Sequence, residues 1–279
     1  MTDGPARKRA PHPVLAIGVD IGGSGIKGAA VDLRTGLFAS PRHRVRTPQP
    51  STPAHVVSVV QELVETVRQE SGRADLPVGV TFPAPIIDGR TMSAANVDTA
   101  WIDYPAGQAL TSAVGVPVAL VNDGDAAGIA EMRWGAGRGH HGAVLLLTLG
   151  TGVGSALFVD GRLVPNTELG HVEIRGKDAE KRSAAVNRTT KRLSWEAWAQ
   201  LLDEHIHALD RLLWPDLIIL GGGVSKNAEK FLPYLTVRPP VIVATLKGDA
   251  GIAGAALFAA HAARLRLPPV SVPAPEVKE

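Results

Sequence analysis

Two glycine-rich turns, which stand 128 residues apart in similar surroundings, constrain the fold of this chain more than any other feature. The first is Asp20–Gly25 and the second is Thr148–Gly152. Each follows an apolar run and leads into a second apolar stretch, which ends in Val31-Asp32 or in Val159-Asp160. The spacing indicates a faint internal repeat, in which each copy is a strand, a turn and a second strand.

Turns of this composition suit the binding of phosphate. Glycine permits the backbone angles and the close approach that a tight turn needs. A turn that clusters bare backbone N–H groups forms a nest for anions. Two facing hairpins of this kind would hold a phosphate chain from both sides. The repeat therefore predicts a ligand site in the cleft between two related halves.

The composition narrows the class of protein. Hydrophobic residues make up 45% of the 279 residues, which favours a folded chain of about two domains. Cysteine is absent, so disulfides and thiolate metal sites are excluded, in keeping with a reducing cytoplasm. No apolar run approaches the roughly 18 residues of a membrane span. The net charge is +2, smaller than is typical of a nucleic-acid binder. We expect a cytoplasmic protein that binds neither membranes nor nucleic acids.

Strands and helices alternate along the chain, which indicates an α/β fold. Beyond the two hairpins, buried strands are predicted at 78–82, 116–121, 217–220 and 241–244, and helices at 52–67, 126–134, 195–213 and 250–264. We expect an N-terminal lobe at 14–122 and a C-terminal lobe at 123–266, with flexible tails at 1–13 and 267–279. The last helix is a candidate to pack back on the N-terminal lobe.

Charged side chains beside the turns are candidates for chemistry. Asp123 follows a buried strand and precedes a helix, where a carboxylate can point into a cleft and act as a general base. The alternative is that Asp123 or Asp125 caps the helix. Asp20 suits Mg²⁺ held through water, although an Asp before glycine also forms turns. Lys27 lies just past the first turn and either reaches the phosphates or faces solvent.

The stretch 175–192 carries a local excess of positive charge. It holds seven basic and two acidic residues, so its excess of +5 is larger than the net charge of the whole chain. Such a track would attract a flexible polyanion, and the attraction would depend on salt. The alternative is an ordinary solvated loop and helix start. The residues assigned to the track are Lys181, Arg182, Arg188, Lys191 and Arg192.

Five short motifs follow one another along the chain, at 20–24, 122–123, 149–154, 168–171 and 221–225. In sequence and order they resemble the motifs of the ROK-family sugar kinases. The resemblance runs from about 14 to 260 and implies an α/β protein with the actin-like ATPase (ribonuclease H-like) fold, two related lobes around a central cleft. The stretches 81–85, 94–98, 165–171 and 214–216 are similar to the polyphosphate-using branch of that family.

The resemblance also implies roles for particular residues. It assigns Asp123 as the catalytic base, and it assigns sugar binding to Asn96, Asn122, Asp123, Glu168 and His171. Taken alone, His171 is more typical of a structural histidine. Phosphate or donor binding is assigned to Asp20, Gly22, Gly23, Ser24, Lys27, Thr148, Gly150, Thr151, Gly152, Gly221, Gly222 and Gly223. The last three glycines also suit a tight connecting turn.

The implied activity is phosphorylation of the 6-hydroxyl of glucose, with mannose as an open second acceptor. The implied donor is inorganic polyphosphate, ATP or both, with Mg²⁺ as cofactor and a homodimer as the assembly. A strictly ATP-dependent hexose or N-acyl hexosamine kinase of the same family is one alternative. A non-catalytic sugar sensor is another, although the intact Asp20, Asp123 and glycine turns argue against it.

The chain departs from the wider family in three places. The stretch after His171 lacks the cysteine-rich loop of many members, so no structural zinc is expected. Gly124 stands where alanine is expected, which predicts a looser junction between strand and helix. Only 13 residues precede Val14, so we expect no DNA-binding helix-turn-helix and therefore no repressor.

Overall fold

The fold is built on two mixed β-sheets with the same strand order. The structure, a computed structural model, describes residues 14–94, 97–267 and 270. The first sheet has the order β3-β2-β1-β5-β8, with β4 paired to β2, while β6 and β7 form a separate hairpin. These strands are β1 (Leu15–Gly22), β2 (Gly25–Asp32), β3 (Leu37–Phe38), β4 (His43–Val45), β5 (Val78–Phe82), β6 (Ile86–Ile87), β7 (Arg90–Thr91) and β8 (Val118–Asn122).

The second sheet has the order β11-β10-β9-β14-β15, while β12 and β13 pair only with each other. Its strands and the small pair are β9 (Ala143–Leu149), β10 (Val153–Val159), β11 (Arg162–Val164), β12 (Glu173–Ile174), β13 (Lys177–Asp178), β14 (Leu217–Gly221) and β15 (Val241–Val243). In each sheet an antiparallel hairpin is followed by two parallel strands, β5 and β8 in the first and β14 and β15 in the second. This shared topology confirms the internal repeat.

Seven helices lie in the described part of the chain. They are α1 (Pro53–Ser71), α2 (Ala106–Val114), α3 (Asp123–Trp134), α4 (Glu180–Ser183), α5 (Ala185–Thr190), α6 (Trp195–Leu213) and α7 (Ala250–Ala262). The periodicity located α6 correctly, and the Ser194 hydroxyl caps it by accepting the N–H of Ala197. Helix α3 begins three residues earlier than expected. Among these helices none is both long enough and apolar enough to cross a membrane.

Each sheet has its own hydrophobic core. Helices α1 and α2 pack against the first sheet, and their buried side chains surround Val78, Val80 and Phe82 of the fully buried β5. Helix α6 packs against the second sheet around Ile218 and Leu220 of the fully buried β14. Both strands are nearly continuous apolar runs, as expected of parallel strands that are covered on both faces.

Helix α7 lies against the first sheet, although it comes from the end of the chain. A Cβ atom at Gly18 would lie 1.9 Å from the carbonyl oxygen of Ile252, and one at Gly79 would lie 1.9 Å from that of Ala255. Any larger residue at either glycine would therefore push the helix off β1 and β5. The small residues of α7 and of the strands allow this close packing, and a third apolar cluster joins α7 to α3.

Candidate active site

The first glycine-rich turn is tighter than the sequence suggests. Strands β1 and β2 pair as far as Gly22 and Gly25, so only Gly23 and Ser24 form the turn. The carbonyl oxygen of Gly22 accepts a hydrogen bond from the Thr47 hydroxyl at 2.5 Å. This bond ties the turn to the segment that follows β4 and fixes its position at the edge of the cleft.

The second turn comprises Gly150, Thr151 and Gly152, because β9 and β10 pair only as far as Leu149 and Val153. The N–H of Gly150 donates to the carbonyl oxygen of Gly152 at 3.0 Å and closes the turn. The third glycine segment, Gly221–Gly223, lies against this second turn. Gly222 has a φ of 84°, and a Cβ atom there would lie 2.3 Å from the carbonyl oxygen of Leu149. Gly222 thus has a backbone conformation that favours glycine, and it borders the second turn.

Asp20 is held by two neighbouring side chains. Its Oδ2 accepts a hydrogen bond from Lys27 Nζ at 2.8 Å, and its Oδ1 accepts one from the Thr81 hydroxyl at 2.9 Å. Lys27 therefore neutralises Asp20 and does not simply face solvent. The sequence analysis gave Thr81 no role of its own, although it begins the stretch 81–85 and is a polar residue inside the apolar strand β5. Gly251, at the start of α7, lies beside the same carboxylate.

Asp123 is the first residue of α3, directly after β8, and its neighbour Gly124 packs against Ser155 of β10. Asp123 is exposed to solvent, but the protein around it still desolvates its carboxylate. Desolvation raises the pKa of Asp123 to about 7, and the negative charges of Asp20 and Glu168 push the pKa in the same direction. The N–H of Gly124 donates to its Oδ1 at 2.8 Å and opposes this effect. A carboxylate with this pKa is suited to take a proton near neutral pH.

The helix-cap alternative is wrong for Asp125, because Asn122 caps α3. The Asn122 Oδ1 accepts the N–H of Asp125 at 3.1 Å. Asp125 itself is only 1% exposed. Gly124 does not loosen the junction as expected, since a Cβ atom there would lie 2.8 Å from the carbonyl oxygen of Ser155. Glycine at this position allows the start of α3 to approach β10.

Asp125 anchors a polar connection that runs from α3 through Asn166 to the β6–β7 hairpin. Its Oδ2 accepts the N–H of Asn166 at 2.8 Å, and burial raises the pKa of Asp125 to about 6. The Asn166 side chain in turn pairs with the backbone of Ile86. It accepts the Ile86 N–H at 2.9 Å and donates to the Ile86 carbonyl oxygen at 2.9 Å. This chain of bonds fixes the segment that carries Glu168.

Three of the predicted sugar-binding residues come together beside Asp123. Asn122 Nδ2 donates to Glu168 Oε1 at 3.4 Å, and the Glu168 Oε2 lies 3.8 Å from His171 Nε2. Glu168 directly precedes a 3₁₀ turn that ends at His171, which explains their proximity. Burial raises the pKa of Glu168, while His171 opposes the shift. The remaining sugar-binding candidate, Asn96, lies outside the described residues.

Glu180 is a second residue that sequence reasoning missed. It was counted only as one of the two acidic residues in the basic stretch. Its Oε2 accepts the N–H of Val153 at 3.0 Å, directly after the second turn, and its Oε1 lies 3.9 Å from His171 Nδ1. A Cβ atom at Gly152 would lie 2.6 Å from the same Oε2. A carboxylate therefore lies beside the second turn.

Local partners hold several side chains of the predicted basic track. Lys181 pairs with Asp178 at 3.1 Å, and Arg182 pairs with Glu204 at 2.9 Å. The Arg188 guanidinium stacks on the Trp195 ring, 3.9 Å from its centroid. Glu204 lies outside the stretch and so lowers its charge excess, whereas Asp178 is already counted in the excess of +5. The track still lies next to the second turn, because the N–H of Val186 in α5 donates to the Gly150 carbonyl oxygen at 3.0 Å.

The residues around Asp20 fit a divalent metal only when a phosphate shares it. Among the described residues, no group of three or more His, Cys, Asp and Glu side chains could hold a metal ion. Asp20 is one carboxylate, and both of its oxygens already accept a hydrogen bond. Mg²⁺ keeps several waters and is commonly bound by one or two carboxylates with substrate phosphates. A water-mediated contact to Asp20 is compatible with these bonds.

Two related sheets that each carry a glycine turn, with carboxylates on β1, on α3 and in the segment after β11, form the arrangement of a sugar kinase of the actin-like ATPase fold. The chain belongs to the ROK family, whose match covers residues 16–185. It is 44% identical to the polyphosphate glucokinase of Mycobacterium tuberculosis (strain ATCC 25177 / H37Ra), and the alignment covers 86% of this chain and 89% of the relative.

Two solved structures are similar over nearly the whole of their chains. One is the inorganic polyphosphate/ATP-glucomannokinase of Arthrobacter sp. strain KM, with 48% identity and a TM-score of 0.85, covering 89% of this chain and 99% of that one. The other is a ROK family glucokinase from Streptomyces griseus in complex with glucose and AMPPNP. It has 26% identity and a TM-score of 0.74, covering 88% of this chain and 99% of that one.

Proposed function

We propose that this chain transfers a phosphoryl group from inorganic polyphosphate or ATP to the 6-hydroxyl of glucose. The observation that carries the proposal is the Asp123 carboxylate at the start of α3, whose pKa is raised to about 7 by desolvation and by the nearby charges of Asp20 and Glu168. The relatives named polyphosphate glucokinase and polyphosphate/ATP-glucomannokinase, at 44% and 48% identity, support both the reaction and the donors. Mannose is the second acceptor to be tested.

On the acceptor side, we assign Asp123 as the general base that takes the proton of the attacking hydroxyl. Asn122, Glu168 and His171 would orient the sugar, because amide, carboxylate and imidazole groups can pair with adjacent hydroxyls. Asn96 keeps the sugar-binding role that the resemblance gives it. The buried Asp125 acts indirectly, since it holds Asn166 and thereby the segment that bears Glu168.

On the donor side, we assign the backbone N–H groups of the two turns, at Gly22–Ser24 and Gly150–Gly152, to the terminal phosphates. Transfer then proceeds in line from the donor to the sugar oxygen. Asp20 would hold Mg²⁺ through water, and the ion would neutralise charge on the transferring phosphate. The segment Gly221–Gly223 borders the second turn and would receive the nucleotide when ATP is the donor.

Closure of the two lobes around this cleft would exclude water and so limit hydrolysis of the donor. We propose the lobe boundary between residues 122 and 123, where β8 ends and α3 begins. The flexible tails proposed at 1–13 and 267–279 lie almost wholly outside the described residues. A cytoplasmic location and a homodimer stay predictions.

The decisive experiment measures glucose 6-phosphate formation by the purified protein with Mg²⁺ and glucose. Nucleotide-free polyphosphate and ATP are compared as donors, and the Asp123→Asn variant is run beside the wild type. Activity with polyphosphate that the variant lacks supports the proposal. Activity with ATP alone would assign the chain to the strictly ATP-dependent kinases, whereas glucose binding without turnover would favour the sensor.

A further inference from the structure

A row of paired positions crosses the first sheet beside its glycine turn. Thr81 on β5 pairs with Asp20 on β1, Asp20 pairs with Lys27 on β2, and Lys27 pairs with Arg44 on β4. Directly paired residues of neighbouring strands project from the same face of a sheet. Arg44 therefore shares the face of Asp20, two strands away, at about 4.8 Å per strand.

The charges along this row do not cancel. Lys27 and Asp20 neutralise each other through their 2.8 Å ion pair. On β4, His43 is paired with Glu70, and next to the strand Arg42 is paired with Asp249. Within the described ranges, no carboxylate lies within ion-pairing distance of Arg44. The exposed Arg44 guanidinium is thus the surplus positive charge of this row.

The Arg44 guanidinium also lies against the end of the turn itself. A Cβ atom at Gly25 would lie 2.8 Å from Arg44 Nε, 3.2 Å from its Nη2 and 3.3 Å from its Cζ. The absence of a side chain at Gly25 leaves the space that the guanidinium occupies. A planar fork of donors beside a turn of backbone N–H groups is well matched to phosphate oxygens.

We propose that Arg44 binds a phosphate of the donor that is not transferred, and that this contact favours polyphosphate over ATP. The strand order runs from Asn122 and Asp123, where the acceptor is proposed to bind, past Asp20 to Arg44 at the other side of the sheet. A donor that extends past Asp20 would bring to Arg44 the phosphates that lie further along its chain from the transferred one. Polyphosphate carries a charge at every unit, whereas ATP is proposed to turn towards Gly221–Gly223 on the second lobe. The inference rests on the proposed function.

The test compares Arg44→Gln and Arg44→Lys with Arg162→Gln in steady-state assays. Arg162 is exposed on β11 at the far edge of the second sheet, so its variant makes the same change in net charge elsewhere. For Arg44→Gln we expect the KM for long-chain polyphosphate to rise about tenfold, the loss expected from one charge-assisted hydrogen bond. The KM values for ATP and glucose should change less than about threefold, and Arg44→Lys should recover part of the loss.

The dependence of polyphosphate kcat/KM on salt should also become shallower in Arg44→Gln, because one phosphate contact is lost. A polyphosphate KM that changes no more than in Arg162→Gln, or an equal rise for both donors, overturns the inference. A wild-type protein that is inactive with both donors contradicts the proposed function instead. In that case calorimetric titration of wild type and Arg44→Gln with tripolyphosphate still tests Arg44, and equal affinities overturn its role.

Discussion

The two copies of the repeat place different chemistry on the same scaffold. Moving 128 positions along the chain takes Asp20 to Thr148 and Lys27 to Ser155. The first copy thus carries an ion pair where the second carries two hydroxyls. Asp20 and Lys27 bind each other at 2.8 Å, while the N–H of Leu169 donates to the Ser155 Oγ at 3.0 Å. The first copy concentrates charge, whereas the second holds the segment that bears Glu168.

The charged side chains that lie directly against the two turns differ in sign as well. The Arg44 guanidinium lies at the first turn, whereas the Glu180 carboxylate lies at the second and accepts the N–H of Val153. A duplicated hairpin therefore supplies the geometry for holding phosphate on both sides, while residues from outside the repeat decide the local charge. From this difference we expect the first copy to dominate the handling of phosphate and metal.

The largest effect is expected at Asp123, which lies between the copies and belongs to neither turn. Asp123→Asn should lower kcat by about 10²–10⁴-fold, the contribution typical of a general base. Glucose binding, measured by calorimetry, should persist, because Asn122 and Glu168 remain in place. In the wild type, kcat/KM should rise as the pH increases through about 7, since only the ionised carboxylate accepts a proton. A variant that keeps most of its turnover contradicts this assignment.

Matched changes at equivalent positions of the repeat test whether the first copy dominates the handling of phosphate and metal. Asp20→Asn should lower kcat by about 10²-fold, because it removes the carboxylate proposed to bind the metal. Thr148→Val removes only a neutral hydroxyl, so a loss of about fivefold is expected. Raising the Mg²⁺ concentration should partly rescue Asp20→Asn and leave Thr148→Val unchanged. Equal losses would mean that both copies handle phosphate and metal alike.

The basic track beside the second turn is expected to contribute less. The double variant Lys181→Ala, Arg182→Ala should raise the KM for polyphosphate a few-fold and the KM for ATP less, because exposed and partly paired charges contribute little each. A matched control is Arg73→Ala, Arg90→Ala, which removes two cations that are also paired with carboxylates, on the first lobe. Equal losses with both donors, or equal losses in the control, would contradict a polyphosphate track.

The smallest effect is expected on stability and follows from the raised pKa of Asp123. Between about pH 4 and pH 7 the folded protein binds more protons at Asp123 than the unfolded chain, whose aspartate has the ordinary pKa of 3.8. This site therefore lowers the free energy of unfolding as the pH rises through that window. Asp123→Asn removes the effect, so thermal melts should show a higher Tm than wild type at pH 8 and little difference at pH 4. The same Tm difference at both pH values would argue against the shifted pKa.

Local sequence signals predicted most of the elements and the candidate carboxylates. Helix α6 follows from its apolar periodicity, and the buried strands β5 and β14 follow from their apolar runs. The repeat predicted two hairpins, and the shared strand order of the two sheets confirms it. These features depend on neighbouring residues, so the sequence by itself is enough to determine them.

The tertiary structure alone decided which distant side chains meet. Whether Lys27 faces solvent or neutralises Asp20, and whether Asp125 or Asn122 caps α3, depends on strand register and on the entry angle of the helix. The contact of Glu180 with the second turn joins residues 27 positions apart through a fold that no local periodicity encodes. The packing of α7 on Gly18 and Gly79 likewise joins segments that are far apart in the sequence. Hydrophobic and turn patterns determine the local secondary structure. The contacts between distant helices and strands depend on how the whole interior packs.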